Sequence, residues 1–148
     1  MEINNVHYGK MILSSNGQHR MADDGGRRTY AENLLVLNYL RENAGKDGWL
    51  DLDTNAIKSS VIDKAMHMIT ALEEKQPLIE WNDNGTIALT FRKDDTPGEM
   101  TVLVKDVPEA IAITLVPEKK NKKPHWSVRR VLKKPSEIPE MVRDFYIQ

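Results

Sequence analysis

The hydrophobic period of this chain changes at Pro77, and that switch limits the folds open to it more than any other feature. Before it, Ile57, Val61, Ala65, Met68, Ile69 and Leu72 recur at spacings of three and four, which places them on one face of a helix. The spacing predicts a helix from about Ala56 to Lys75, with Asp53, Thr54 or Asn55 as N-cap, Asp63 and Glu73-Glu74 on its wet side, and Pro77 as its stop. After Pro77, Leu78 to Trp81 and Thr86 to Phe91 flank Asn82-Asp83-Asn84-Gly85, an Asn-Gly turn between apolar runs. That pattern predicts a β-hairpin, with Ile87, Leu89 and Phe91 on one face and Thr86, Ala88 and Thr90 on the other.

The remaining segments arrange themselves around this switch. Thr29 with Glu32 three positions later is a capping-box pattern, opening a helix from Tyr30 to Asn43 that Ala44-Gly45 and Gly48 end. Leu34, Leu35, Leu37 and Leu40 are its expected buried stripe, with Tyr30 and Val36 at the margin. Beyond the hairpin, Asp94 to Gly98 is a second turn, and Met100 to Val104, Ala110 to Val116 and Trp126 to Leu132 are further strands. Val107-Pro108 separates the first two, and a polar loop separates the last. Pro135 and Ser136 open a short helix with Met141, Phe145 and Tyr146 as inner contacts. Helices grouped ahead of a meander indicate an α+β fold: two N-terminal helices packed on a four- to five-stranded antiparallel sheet, with a short C-terminal helix. Residues 1–28 read as a flexible polar lead, with a short strand between Val6 and Leu13 and a hinge at Gly25-Gly26. Residues 29–148 read as a single domain, and 148 residues suit one.

Much chemistry is excluded by what is missing. The absence of cysteine rules out disulfides, thiolate zinc sites, iron–sulfur clusters and Cys nucleophiles. No run approaches the roughly 18 apolar residues of a membrane helix, and no signal-peptide core follows Met1, so a soluble cytoplasmic protein without membrane partners is the expectation. The four histidines, His7, His19, His67 and His125, include no pair at helical i, i+3 or i, i+4 spacing, and His67 reads as a solvent-edge residue; no metal is expected. Asp51-Leu52-Asp53-Thr54-Asn55 imitates the start of an EF-hand loop, but Ala56 and Ile62 occupy the places where Gly and a bidentate Glu are required. There is no GxSxG, HExxH or phosphate-binding GxxxxGK[ST] pattern, and Gly25-Gly26-Arg27-Arg28 lacks the preceding strand of a phosphate loop. Glu73-Glu74 and Asp94-Asp95 are paired acids only in sequence. No catalytic residue and no cofactor is assigned. An enzyme assembled only in three dimensions would need a concave pocket gathering His67 or His125 with carboxylates.

Charge is more informative. From Lys119 to Lys134 there are eight basic residues and no acid, a charge of +8, whereas residues 1–118 hold 12 basic and 19 acidic residues, a charge of −7. Residues 135–148 add −2, so the net charge of −1 conceals a polarised molecule. Lys119, Lys120, Lys122, Lys123, His125, Trp126, Arg129 and Arg130 are therefore the candidate residues for binding a partner or nucleic acid, the tryptophan supplying a stacking surface among phosphate-seeking cations. The alternative is a solvated hairpin whose lysines keep an edge strand from aggregating. Trp49 and Trp81 read as core anchors, or as interface hot spots if exposed.

The run Asp47-Gly48-Trp49, Ala65 and Leu72 on a helix, Pro77, Asn84-Gly85 and the alternating Ile87-Leu89-Phe91 resembles a pattern found in small, mostly uncharacterised bacterial and mobile-element proteins. It spans residues 47–91, and Leu50-Asp51-Leu52 departs from the glycine- and tyrosine-containing stretch usual after the Trp. The resemblance implies a helix-plus-antiparallel-sheet fold and carries no catalytic residues. Taken together, the residues favour a non-catalytic interaction module of a bacterium or its phage, one that binds and neutralises a nuclease, toxin or defence complex as an antitoxin, immunity protein or inhibitor does. The second expectation is a nucleic-acid-binding accessory protein that uses residues 119–134. The oligomeric state is left open.

Overall fold

The computed structural model describes residues 11–12, 17–21, 28–93, 98–117 and 124–147. In chain order the elements are β1 (Met11–Ile12), β2 (Gln18–Met21), α1 (Tyr30–Asn43), α2 (Ser59–Leu72), β3 (Leu78–Asn82), β4 (Ile87–Arg92), β5 (Glu99–Val104), β6 (Ala110–Pro117), β7 (Pro124–Leu132), a 3-10 turn at Pro135–Glu137 and α3 (Ile138–Ile147). The strands form one antiparallel sheet in the order β1-β2-β3-β4-β5-β6-β7, so sequence order and spatial order coincide. The fold is α+β with two helices before the meander and one after it, as the period switch indicates.

The strand number is higher than the four to five expected. The additional strands come from the lead: Gln18, His19 and Arg20 pair with Asn82, Trp81 and Glu80, and Met21 is buried in the main core. Residues 17–21 alternate too briefly among loop-forming neighbours to register as a strand on their own; the β3 edge supplies the template. Within the expected strand from Val6 to Leu13, only Met11–Ile12 lies in the described residues, and the Gly25-Gly26 hinge lies outside them.

The capping box of α1 is present in both directions, Glu32 N–H donating to Thr29 Oγ1 at 3.1 Å and Thr29 N–H to Glu32 Oε1 at 3.0 Å. Its buried face differs from expectation. Asn33, Val36, Leu37, Tyr39 and Leu40 are buried, whereas Leu35 is 38% exposed. A centre running through Asn33, Leu37, Leu40 and Ala44 puts Leu35 on the opposite side. Asn33 is tolerated there because its Nδ2 donates to Gln76 Oε1 at 3.0 Å and to the Pro77 carbonyl at 2.9 Å, tying α1 to the segment between α2 and β3.

Helix α2 buries Val61, Ala65, Met68, Ile69 and Leu72 of the predicted stripe, and Ile62 besides, while Ile57 is buried in the segment before the helix. It begins three residues later than expected, because residues 54–57 are held elsewhere: Asn55 N–H donates to the Asp83 carbonyl, Ala56 N–H to Asp47 Oδ1 and Ile57 N–H to the Ala44 carbonyl. It ends at Leu72, earlier than Lys75, where Glu73 adopts a φ of 53° and Gln76 Nε2 donates to the Ile69 and Glu73 carbonyls.

All three helices lie on one face of the sheet. Ile79, Trp81, Ile87, Leu89, Phe91, Met100, Val102, Val104, Ala110, Ala112 and Leu132 point toward them and form one core with the helical stripes. The registers carry a second row, Ala88, Leu103, Ile111 and Val131, across the other face. No helix of the described residues packs there, and its exposure grows outward until Val131 is 54% exposed.

Candidate functional site

The basic segment divides between sheet and surroundings. Residues 124–132 form β7, an outer strand that among the described residues pairs with β6 alone; it carries His125, Trp126, Arg129 and Arg130. The register opposes Val116 to His125, Leu115 to Trp126, Ile113 to Arg129 and Ala112 to Arg130, with a bulge between Thr114 and Leu115. Lys119, Lys120, Lys122 and Lys123 lie outside the described residues. Arg130 stands 3.7 Å from the Asp144 carboxylate on α3, a loose ion pair with both partners well exposed. Lys133 and Lys134, just past the strand, are exposed as well. The structure thus brings the strand-borne candidates to one sheet edge.

At the other side of the sheet, the loop after α1 is folded by its own polar side chains. Asp51 Oδ1 accepts from Asp53 N–H at 2.9 Å and from Thr54 Oγ1 at 2.8 Å, and Gly48 N–H donates to the Thr54 carbonyl at 2.6 Å. The Thr54 hydroxyl, then the Asp53 amide, hold the Asp51 carboxyl below its ordinary value. The EF-hand likeness is thereby explained as loop closure by Asx-type hydrogen bonds. Leu52 at the loop tip is 99% exposed between Asp51 and Asp53. Trp81 is fully buried; Trp49 packs against it at 6.4 Å and is half-buried, so the pair anchors the loop to the sheet as expected of core tryptophans.

One pairing was not legible. His19 on β2 is 3% exposed, and its Nε2 lies 2.6 Å from Asp83 Oδ1 in the β3–β4 turn. Gly17 makes the approach possible, because a Cβ there would sit 2.9 Å from Asp83 Oδ2. The partners are 64 residues apart, and only the strand register, itself unforeseen, joins them. His67 is exposed on α2.

A third polar cluster joins α2 to the β5–β6 turn. Asp106 accepts from Lys58 Nζ and Ser60 Oγ, both at 2.7 Å, while Lys64 Nζ donates to the Lys105 and Val107 carbonyls. Lys58, then Ser60, draw the Asp106 carboxyl below its ordinary value, and Asp106 raises that of Lys58. All of these side chains are consumed in holding the turn. Among the described residues no three His, Asp or Glu side chains gather to hold a metal, and no helix is long and apolar enough to cross a membrane.

Comparison with protein families, with curated sequences and with solved structures finds no match for the chain.

Proposed function

We propose that this chain is a non-catalytic binding module that engages and neutralises a macromolecular partner through its basic C-terminal edge. The observation carrying this reading is the spatial separation of charge. The acidic loop of Asp47, Asp51 and Asp53 is fastened to the β3–β4 turn, while β7, which carries Arg129 and Arg130 of the basic stretch, lies four strands from β3. At about 4.8 Å per strand that is roughly 19 Å. The Debye length at physiological ionic strength is about 8 Å, so the two regions do not neutralise each other, and a partner meets a basic edge rather than a nearly neutral protein. Such a field speeds encounter with a complementary surface. An antitoxin, an immunity protein or a phage-borne inhibitor of a host defence complex is the kind of protein this arrangement serves.

A second reading, a nucleic-acid-binding accessory protein, draws on the same edge, because exposed Lys133 and Lys134 extend the line of cations past Arg130. A pull-down with the tagged full chain from bacterial lysate, at low and high salt and with or without nuclease, separates the two. A stoichiometric protein that survives nuclease and is lost when Lys122, Lys123, Arg129 and Arg130 are changed to Ala supports the first. Nucleic acid recovered only without nuclease, with a salt slope flattened by the same changes, supports the second. Binding unaffected by the four substitutions overturns both.

A further inference from the structure

Resting on the proposed use of the basic edge, we propose that β7 takes up an extended acidic segment of a partner protein as an additional strand. β7 is nine residues long and, among the described residues, pairs on one side only. In an antiparallel ladder every second residue of such a strand turns its N–H and C=O outward, where another strand can pair with them. At the opposite edge, the described part of β1 is two residues long.

The side chains then select the occupant. Val131 lies between Arg130, which reaches toward Asp144 on α3, and Leu132, which is in the core, so these two neighbours face the helices while Val131 faces the open side. An incoming strand that alternates acidic and apolar residues sets a carboxylate beside Arg130 and an apolar side chain beside Val131. It prolongs the row Ala88-Leu103-Ile111-Val131 by one position. The Arg130 guanidinium has donors to share, since it is 53% exposed and its contact with Asp144 is 3.7 Å. A second copy of β7 is a poor occupant. No acid stands between Lys119 and Lys134, so two such edges would bring like charges together.

The test uses the full-length protein and a synthetic peptide of five Glu-Val repeats with both ends blocked. Two versions of it are N-methylated, one at every Glu and one at every Val. Each removes the N–H groups from one edge of the extended peptide and leaves its charge intact. Strand addition requires that the parent bind, that one methylated version bind at least tenfold more weakly than the other, and that amide exchange within 124–132 slow on binding. Equal binding by all three peptides overturns strand addition in favour of charge attraction alone. Failure of all three also overturns it, and tight binding of oligothymidylate instead assigns the edge to nucleic acid. If the chain ignores the peptides yet captures a nuclease-resistant protein through Arg129 and Arg130, strand addition falls and the binding-module function stands. If it captures nothing, the broader function falls too.

Discussion

Gly85 is the point at which the hairpin and the loop after α1 depend on each other, and replacing it by Ala tests that dependence. Its φ of +85° lies in the left-handed region, which costs an Ala about 1–2 kcal/mol. The added Cβ would also stand 2.5 Å from the Ala56 carbonyl oxygen, a backbone atom that cannot rotate aside. Residues 55 and 56 are pinned by hydrogen bonds of 2.7 Å to the Asp83 carbonyl and 2.8 Å to Asp47 Oδ1, so relief of the clash strains both anchors. Overpacking of this kind adds about 1–3 kcal/mol, for a combined destabilisation of roughly 2–5 kcal/mol. In a chain of this length that corresponds to a Tm lowered by roughly 5–15 °C. The assay is thermal and urea unfolding of Gly85→Ala beside Gly45→Ala, whose Cβ meets nothing within 4 Å. If the two variants unfold together, the proposed coupling of turn and loop is wrong.

Two leucines of α1, two residues apart and on opposite sides of the helix, should respond differently to truncation. Leu37→Ala, at a fully buried position, should lose about 2–5 kcal/mol, whereas Leu35→Ala should stay within about 1 kcal/mol of the parent in urea denaturation. Asp83→Ala deprives buried His19 of its carboxylate and should cost about 1–3 kcal/mol, with faster amide exchange at residues 18–21 as the local signature. Asp51 and Asp106 both have folded carboxyl values below the ordinary 3.8, so their stabilisation is complete above that pH and is lost as pH falls through the lowered values. Acid titration of Asp106→Asn should therefore show a shallower loss of stability below about pH 4 than the parent does.

What the residues disclosed, and what they withheld, divides along physical lines. The α2 stripe and the Asn-Gly hairpin were legible because each is a local pattern: side chains at a helical or twofold period face one way wherever the chain goes. The capping box was legible for the same reason. Leu35 was misjudged because four leucines in seven residues overfill one stripe, and only the packing against α2 and β3 decides which of them turns outward. β2 was missed because a four-residue strand among Asn, Gly and Asp has little signal of its own; its pairing energy resides in β3. The candidate basic residues were found from charge alone, yet charge could not say that part of the run is an edge strand. That depended on how many strands precede it.

The topology itself explains why segregation of charge along this sequence survives folding. In a sheet built of crossover connections, consecutive strands are often not neighbours, and a basic run can be threaded between acidic ones and paired away. Here the seven strands lie side by side in chain order, so distance along the chain from β2 onward becomes distance across the sheet. β7, which holds the described strand residues of the basic run, comes last and therefore lies at the rim. There its backbone has a free side among the described residues, and the charges of Arg130, Lys133 and Lys134 face water. Reversing the charge of Lys133 and Lys134 to Glu leaves the core untouched, since both side chains are exposed, and should change stability by no more than about 0.5 kcal/mol. It should nonetheless lower the rate of association with an acidic partner severalfold at low salt and much less at high salt. Stopped-flow association of the Glu-Val peptide with parent and Lys133→Glu/Lys134→Glu protein measures that difference. Equal rates at low salt would mean that the rim position of the basic run has no bearing on recognition.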